Sequence, residues 1–338
     1  MGLKISKKVN IGVVLDLSGE ASQDAVGIRD GINLAVKNLK NDGYNVQAEY
    51  FDDKSDVSAT ISVANEFIEK YRIKALIGPT WSYQVGSIAP IIEQEKLPTF
   101  APAVSSDCVI AKSQFLLFGS EKNIYKTKPL SDFIQKHKIE KIALVVSQDG
   151  WGVSHIMPIQ KAVQNSSTEL VYVEQLLPYI SSFGEQSIQY VVDNIISKKA
   201  DLIIWAGYEF EANALSRLLL KNNLNIPIIG DQLLVFGERL NLLKKYKGDI
   251  FIFNTKFPNS FEKLFREHYH KSPTLYSDVA YDGMRILTEN IAKGLVGEQL
   301  IKRLKNKRFV YKGQVGNYCF DQNGDVNFGG RWEIKKIY

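Results

Sequence analysis

The sequence has few of the residues that catalytic and metal sites commonly use. It contains two cysteines and four histidines in 338 residues, too few for a disulfide scaffold. His268 and His270 stand two positions apart on a predicted helix, where their rings point to different faces and form no metal site. No phosphate-binding glycine loop, dinucleotide-binding glycine pattern or serine nucleophile elbow occurs. We therefore expect neither an enzyme nor a bound cofactor.

Long apolar runs are also missing. No stretch approaches the roughly 18 apolar residues that a membrane-spanning helix needs. The N-terminus passes from a short basic segment directly into the strand-like run "NIGVVLDL", and no small-residue cleavage site follows it. We therefore expect no signal peptide in this sequence, and an exported protein would be represented here in mature or truncated form.

Charge of one sign does not dominate either. The chain has 42 lysines and arginines against 37 acidic residues, a net charge of +5, and the basic residues are mostly scattered. This distribution does not predict a nucleic-acid surface. A content of 45% hydrophobic and 23% charged residues is typical of a folded globular protein, and the length suggests about two domains.

What the chain does contain is a regular alternation of short β-branched runs with longer amphipathic stretches, from Val9 to about Thr255. This alternation is typical of βαβ units and predicts an α/β fold with parallel sheets. The runs interpreted as strands are 10–17, 46–53, 74–78, 97–103, 141–147, 169–177, 201–207, 226–230 and 249–255.

The alternation divides into two similar sets, 9–119 and 124–252, with a change of rhythm near "FLLFGSEKN". After Thr255 come two helical stretches and short strands that end in "RWEIKKI". This tail is too small to form a third unit, so we expect it to complete the first two.

Ligands of open parallel sheets bind beyond the carboxyl ends of the strands, where helix N-termini converge. In the first set this rule selects the loop "LSGEAS" after the first strand, the loop with Trp81 and Ser82, and the loop with Ser105. Ser82 is predicted to be the N-cap of a helix that starts near Tyr83, where a carboxylate or phosphate would be favoured. A serine at this place can also be only a helix cap, and the residues alone leave both interpretations open.

In the second set the same rule selects loops that contain Trp151, Tyr208 and Asp231. The aromatic residues suit an apolar pocket with a few directed polar groups, as small-molecule sites require. Asp231 follows the strand "IPIIG" and would supply a negative charge, although it can also simply cap a helix.

The order and spacing of these segments resemble a known family. From "IGVVLDLSG" through "ALIGPTWS", "PTFAPAVSS", "KIALVVSQDGWG", "DLIIWAGY" and "IIGD" to "GQVGNYCFDQNGD", the chain resembles the leucine/isoleucine/valine-binding receptors, which are type I periplasmic binding proteins of ABC transporters. The resemblance implies two doubly wound parallel-sheet lobes, joined by three chain crossings, with the ligand cleft between them. The implied lobes are 1–119 plus 253–327, and 120–252 plus 328–338.

The resemblance also implies roles for individual residues. Ser82 corresponds to a serine that donates to the ligand carboxylate, Ser105 takes the place of a loop threonine, and Tyr208 corresponds to a tyrosine near the ligand ammonium. Asp231 is the expected ammonium partner, unless Gln232 holds that place. The full set of implied ligand-binding residues is Thr80, Trp81, Ser82, Ala103, Ser105, Trp151, Tyr208 and Asp231.

The resemblance predicts a monomeric, extracytoplasmic receptor that captures a small aliphatic or aromatic amino acid by hinge closure and delivers it to a membrane permease. A receptor for a carboxylate without an amine, and a ligand-sensing domain of a regulatory system, are the alternatives. A bridge between Cys108 and Cys319 is left open by the sequence.

Overall fold

The computed structural model describes residues 8–19, 22–164, 166–177, 184–231 and 246–337. The chain forms two compact units, and each unit is assembled from separate segments. Unit 1 comprises Met1–Lys122 and Phe257–Gly329, and unit 2 comprises Asn123–Lys256 and Gly330–Tyr338. The chain therefore passes three times from one unit to the other. The sequence predicted these crossings after residues 119, 252 and 327, a few residues before the observed crossings after residues 122, 256 and 329.

The strands lie close to the predicted runs, but several are shorter. Their bounds are β1 Val9–Leu15, β2 Val46–Asp52, β3 Ala75–Ile77, β4 Thr99–Ala101, β5 Leu116–Phe118, β6 Lys141–Ser147, β7 Glu169–Leu176, β8 Leu202–Ala206, β9 Ile228–Gly230, β10 Ile250–Thr255, β11 Tyr311–Lys312, β12 Asn317–Tyr318 and β13 Trp332–Lys336. The sequence did not predict β5, whose residues lie in the stretch "FLLFGSEKN" that was interpreted as a change of rhythm.

Helices connect the strands of both units. Their bounds are α1 Ser22–Asn41, α2 Val57–Glu69, α3 Ser82–Gln94, α4 Thr127–His137, α5 Gly150–Val153, α6 Ile156–Val163, α7 Gly184–Ser197, α8 Glu209–Lys221, α9 Asn259–Tyr269, α10 Ser277–Ile291 and α11 Gly297–Leu304. Short 3₁₀ turns cover Ser106–Cys108 and Asn123–Lys126.

Unit 1 contains a five-stranded parallel sheet in the order β2-β1-β3-β4-β5. In β1 the sequence "VNIGVVL" is buried at every position except Asn10. A nearly continuous apolar strand of this kind is expected where both faces of a parallel sheet are covered. The first strand therefore lies inside the sheet, and its carboxyl end lies between those of β2 and β3.

Unit 2 contains a six-stranded sheet in the order β13-β10-β9-β8-β6-β7. The last strand, β13, runs antiparallel to β10, whereas the other pairs are parallel. Two apolar clusters of buried residues lie in this unit, one that includes Trp205 and one that includes Phe133 and Trp332. The "RWEIKKI" tail thus completes unit 2, as expected.

Gly78 makes the sharp turn that leads from β3 into the loop before α3. Its φ is +98°, a conformation that residues with a Cβ rarely adopt. A Cβ built on Gly78 would lie 2.0 Å from the carbonyl oxygen of Val14 in the neighbouring strand β1. Close approach of two backbones therefore requires glycine at this strand end.

Gly78→Ala should lower the free energy of unfolding by roughly 2–5 kcal/mol, since a strained φ adds to a backbone clash. Gly43→Ala is the matched control, because Gly43 has a φ of +88° but open space around its Cβ position. That variant should lose only about 1–2 kcal/mol. Urea denaturation followed by circular dichroism measures both, and equal losses would contradict the role given to the Val14 carbonyl.

Candidate functional site

The strand ends of unit 1 are held together by one buried carboxylate. Asp16 directly follows β1 and is fully buried. Its Oδ1 accepts the backbone N–H of Gly19 at 2.7 Å, and its Oδ2 accepts the indole Nε1–H of Trp81 at 3.2 Å and the hydroxyl of Ser55. Buried charges are stable only when such donors surround them. Asp16 therefore ties the loops after β1, β2 and β3 to one another.

Thr80 and Trp81 belong to this network. The Thr80 hydroxyl is buried and accepts the backbone N–H of Asp16 at 3.1 Å. The Trp81 indole N–H also lies 3.1 Å from the hydroxyl of Ser55, and its ring stacks on Tyr83 with centroids 6.3 Å apart. Both residues thus have structural partners, and Trp81 contributes a half-buried aromatic face rather than a free donor.

Ser82 is the first residue of α3, and the N-cap is Trp81, whose backbone is extended. The prediction that Ser82 is the N-cap was wrong by one residue. The side chain of Gln84 accepts the N–H of Trp81 at 3.4 Å, so a polar residue in the first turn stabilises this helix start. Ser82 is half-buried, and neither its hydroxyl nor its N–H is hydrogen-bonded to another described residue.

The loop after β4 contains Ala103 and Ser105. The N–H of the half-buried Ala103 likewise has no hydrogen-bond partner among the described residues. Ser105 is buried, and its hydroxyl donates to Asp107 Oδ1 at 2.6 Å and lies 3.2 Å from the sulfur of Cys108. Because β3 and β4 are neighbours, Ala103 and Ser82 follow adjacent strand ends, whereas the Ser105 proton already has an acceptor.

Unit 2 repeats this arrangement around a half-buried carboxylate close to the end of β6. Asp149 follows β6, and its Oδ1 accepts the N–H of Gly152 at 2.7 Å and the hydroxyl of Ser147 at 3.0 Å. Its Oδ2 accepts the hydroxyl of Tyr208 at 2.5 Å. The Tyr208 ring lies 5.6 Å from that of Trp151. The structure thus brings the predicted residues Trp151 and Tyr208 together, with Tyr208 hydrogen-bonded to Asp149.

Asp231, which directly follows β9, is buried in a different cluster of unit 2. Its Oδ2 lies 2.5 Å from the ammonium nitrogen of Lys126 and 3.2 Å from Nε2 of His155. Burial alone would raise the pKa of Asp231, but the adjacent Lys126 ammonium and His155 together outweigh it and hold the pKa below its ordinary value. The predicted ammonium partner is therefore already paired with a lysine of the protein, and Gln232 lies outside the described residues.

Sequence reasoning missed four residues of these clusters: Asp16, Lys126, Asp149 and His155. A signal for two of them was present, because "DLSG" and "DGWG" both place a glycine three residues after the aspartate, and both glycines donate to that aspartate. Lys126 and His155 lie far from Asp231 in sequence, so no local pattern connects the three.

Within the described ranges, no helix has the length and apolar character needed to cross a membrane. In the same residues no group of three or more His, Cys, Asp or Glu side chains could hold a metal ion. Cys108 is buried, Cys319 is exposed, and both thiols are free. The bridge that the sequence left open is therefore not formed.

The profile of a family described as "Periplasmic binding protein" matches residues 8–328. The chain belongs to the periplasmic binding protein family. A curated relative within it is the Leu/Ile/Val-binding protein homolog 3 of Brucella melitensis biotype 1, which is 18% identical over 230 residues. That alignment covers 66% of this chain and 61% of the relative's length.

Two solved structures of binding proteins have the same fold. The branched-chain amino acid transporter substrate-binding protein LivJ of Streptococcus pneumoniae, in complex with isoleucine, is 17% identical, with a TM-score of 0.79 over 98% of this chain and 100% of that one. An R. palustris solute-binding protein in complex with 4-hydroxybenzoate is 18% identical, with a TM-score of 0.80 over 98% and 96%. The predicted type I periplasmic binding protein fold is confirmed, and these relatives are solute-binding receptors rather than enzymes.

Trp81→Phe tests the Asp16 network of this family member. The change keeps an aromatic ring but removes the N–H that Asp16 accepts. The free energy of unfolding without ligand should therefore fall by about 1–3 kcal/mol. Trp151→Phe is the matched control, since the Trp151 indole N–H has no partner among the described residues, and its loss should be smaller. Chemical denaturation measures both, and equal effects would remove Asp16 as the reason for tryptophan at position 81.

Proposed function

We propose that this chain is the extracytoplasmic solute-binding receptor of an ABC transporter and that it captures a small carboxylate ligand, the amino-acid class included. The proposal extends to a membrane permease as its partner, to a monomeric receptor and to ligand capture by hinge closure of the two units. Family membership supports the receptor role, and the ligands named for the two structural relatives, isoleucine and 4-hydroxybenzoate, share a carboxylate.

The observation that supports a carboxylate ligand is the arrangement of donors at the start of α3. Ser82 offers a hydroxyl and an N–H at the positive end of the helix, and Ala103 offers another N–H at the neighbouring strand end. Three donors without described protein partners suit the oxygens of a carboxylate, and charge-assisted hydrogen bonds of this kind are each stabilising by roughly 1.5–3 kcal/mol. The half-buried ring of Trp81 would border the same ligand.

Ser105 and Thr80 have a lesser part in this proposal. The Thr80 hydroxyl accepts from Asp16, and the Ser105 hydroxyl donates to Asp107. We propose that both shape the loops that carry the donors, and that the direct grip on the carboxylate comes from Ser82 and Ala103.

A thermal-shift screen of amino acids, aromatic acids and aliphatic acids tests the receptor function. A ligand with micromolar affinity at millimolar concentration should stabilise the folded protein by about 4 kcal/mol, which raises the unfolding temperature by several degrees. If no carboxylate at millimolar concentration shifts the transition, the proposed function fails.

Ser82→Ala should weaken the best ligand of that screen about tenfold, since the loss of one charge-assisted hydrogen bond corresponds to about 1.4 kcal/mol. Ser87→Ala is the matched control on the same helix, because the Ser87 hydroxyl donates only to the carbonyl of Gln84 at 2.8 Å. Isothermal calorimetry compares the two variants with the parent protein. Unchanged affinity for Ser82→Ala would exclude its hydroxyl from the site.

A further inference from the structure

The densest run of basic residues in the chain has no part in the proposed function. It is "IKRLKNKR" at 301–308, in which five of the eight residues are lysine or arginine. The run covers the end of α11 and the turn that follows it. A run of this kind is often only a solvated surface, so the positions of its side chains decide whether it can bind a ligand.

Beside this run, in unit 1, lies a groove with a volume of about 640 Å³, within the range of roughly 300–1,000 Å³ that is common for small-molecule sites. The described lining residues include one acid, Glu298, whose carboxylate lies 2.5 Å from the ammonium nitrogen of Lys96. The groove therefore has an excess of positive charge, because four cationic side chains also line it: Lys302, Lys305, Lys307 and Arg308.

One face of α11 is turned to the groove. Its lining residues stand at i, i+3, i+4 and i+7 from Glu298, the spacing that places side chains along one side of a helix. Arg303 belongs to the same basic run but has different surroundings, because its guanidinium carbon lies 4.6 Å from the centre of the Phe309 ring. The fold thus divides the run into four cations at the groove and one that packs on an aromatic ring.

Lys305 distinguishes this groove from a solvated surface. It is only 6% exposed, and lysine is seldom so buried without a paired charge. Its ammonium nitrogen lies 2.7 Å from the carbonyl oxygen of Gln114 and 3.3 Å from that of Gln322. An ammonium has three N–H groups, so one of them has no acceptor among the described residues, and the two acceptors that are present carry no charge.

The acids around Lys305 are engaged elsewhere. Asp325 and Asp321 lie 2.6 and 3.8 Å from the ammonium nitrogen of Lys122, and Glu93 accepts hydrogen bonds from the loop before β5. Burial lowers the pKa of Lys305 to about 8, and the attraction of these acids offsets this effect only in part. At neutral pH Lys305 is therefore largely a cation without a counter-ion in contact, and an anion in the groove would supply one.

The groove lies at the opposite end of α3 from the donors of the candidate site. Ser82 begins α3, and Lys96, which pairs with Glu298 of the groove, follows its last turn. The 13 residues of this helix span about 20 Å. Gln114 precedes β5 at the amino-terminal edge of the sheet, whereas Ala103 follows β4 at the carboxyl edge. A small molecule in the groove would therefore not occupy the candidate site.

We propose that this groove is a second anion site of the protein and that it takes a molecule with two phosphate groups. One phosphate group carries about −1.5 to −2 charges at pH 7, so two of them match the four cations that line the groove. Lys305 would contact one phosphate through its remaining N–H. The exposed side chains of Lys302, Lys307 and Arg308, which form no ion pair within the described part of the chain, would hold the other. This site is additional to the carboxylate site of the proposed function.

Calorimetry with pyrophosphate and the unmodified protein tests the site, at an ionic strength of about 0.01 M, where charge screening is weak. Pyrophosphate should bind, and malonate, which has two carboxylates and a smaller charge, should bind roughly tenfold more weakly. Ser82→Ala should leave the pyrophosphate affinity unchanged, because Ser82 lies at the other end of α3. The proposal would be overturned by no binding of pyrophosphate at millimolar concentration, by equal binding of malonate, or by loss of the affinity in Ser82→Ala.

Lys305→Met keeps the apolar stem but removes the buried ammonium, so it should weaken pyrophosphate binding roughly tenfold or more. Arg303→Met is the matched control from the same basic run, since Arg303 packs on Phe309, and its affinity should hardly change. Equal losses in the two variants would indicate a diffuse effect of net charge and would overturn the groove as the site.

A second variant keeps the test decisive if Lys305→Met does not fold, which circular dichroism monitors. The double variant Lys302→Met, Lys307→Met changes only exposed side chains, and it should also weaken pyrophosphate binding roughly tenfold. An affinity equal to that of Arg303→Met would contradict the proposal. The best carboxylate ligand of the thermal-shift screen should bind this variant as it binds the parent, so failure of the groove and failure of the proposed function are distinguishable.

Vesicles distinguish a soluble diphosphate from a lipid headgroup as the source of the two phosphates. The probes are phosphatidylcholine vesicles with and without cardiolipin, whose headgroup bears two phosphates. Co-sedimentation with the cardiolipin vesicles that pyrophosphate displaces and Lys305→Met abolishes would identify the lipid. Binding of pyrophosphate without such co-sedimentation would identify a soluble diphosphate.

Discussion

The cost of burying a carboxylate governs the strand-end surfaces of both units. An aspartate at the end of a buried strand cannot remain ionised unless several donors reach it. The buried Asp16 in unit 1 and the half-buried Asp149 in unit 2 are surrounded by donors in the same way. Each accepts the N–H of a glycine three residues later and a side-chain donor from an aromatic residue, Trp81 or Tyr208. The aromatic residues come from the loop after the neighbouring strand, so one interaction joins two loops and fixes a ring.

The third strand-end carboxylate, Asp231, meets the same requirement with a cation instead of neutral donors. Its partner Lys126 is covered by Trp332 and Phe253, which come from strands β13 and β10. An ion pair of this kind contributes little to stability compared with an apolar replacement of the same shape. Its significance is electrostatic, because the Lys126 ammonium neutralises the charge of Asp231 at this strand end.

The sequence predicted the α/β fold with parallel sheets because the inner parallel strands are mostly apolar and helices alternate with the strands. Its selection of the strand-end loops as the ligand site stays a prediction. The sequence placed the start of α3 at Tyr83 instead of Ser82, because serine is a common N-cap. In the structure Trp81 is the N-cap, and the side chain of Gln84 accepts its N–H. It could not predict that Lys126 pairs with Asp231, since these residues are 105 positions apart, and only the tertiary fold brings them together.

The last strand of unit 2 also affects how that unit can be made. β13 pairs with β10, although the whole second segment of unit 1, Phe257–Gly329, lies between these two strands in the sequence. Trp332 in β13 also covers the ammonium of Lys126. During synthesis, the edge of β10 stays unpaired, and a charged side chain stays without its aromatic cover, until residues 332–336 have left the ribosome. Unpaired edges of this kind are where nascent sheets aggregate. Completion of unit 2 is therefore a late event in the life of the chain, although most of its sequence is translated before the second segment of unit 1.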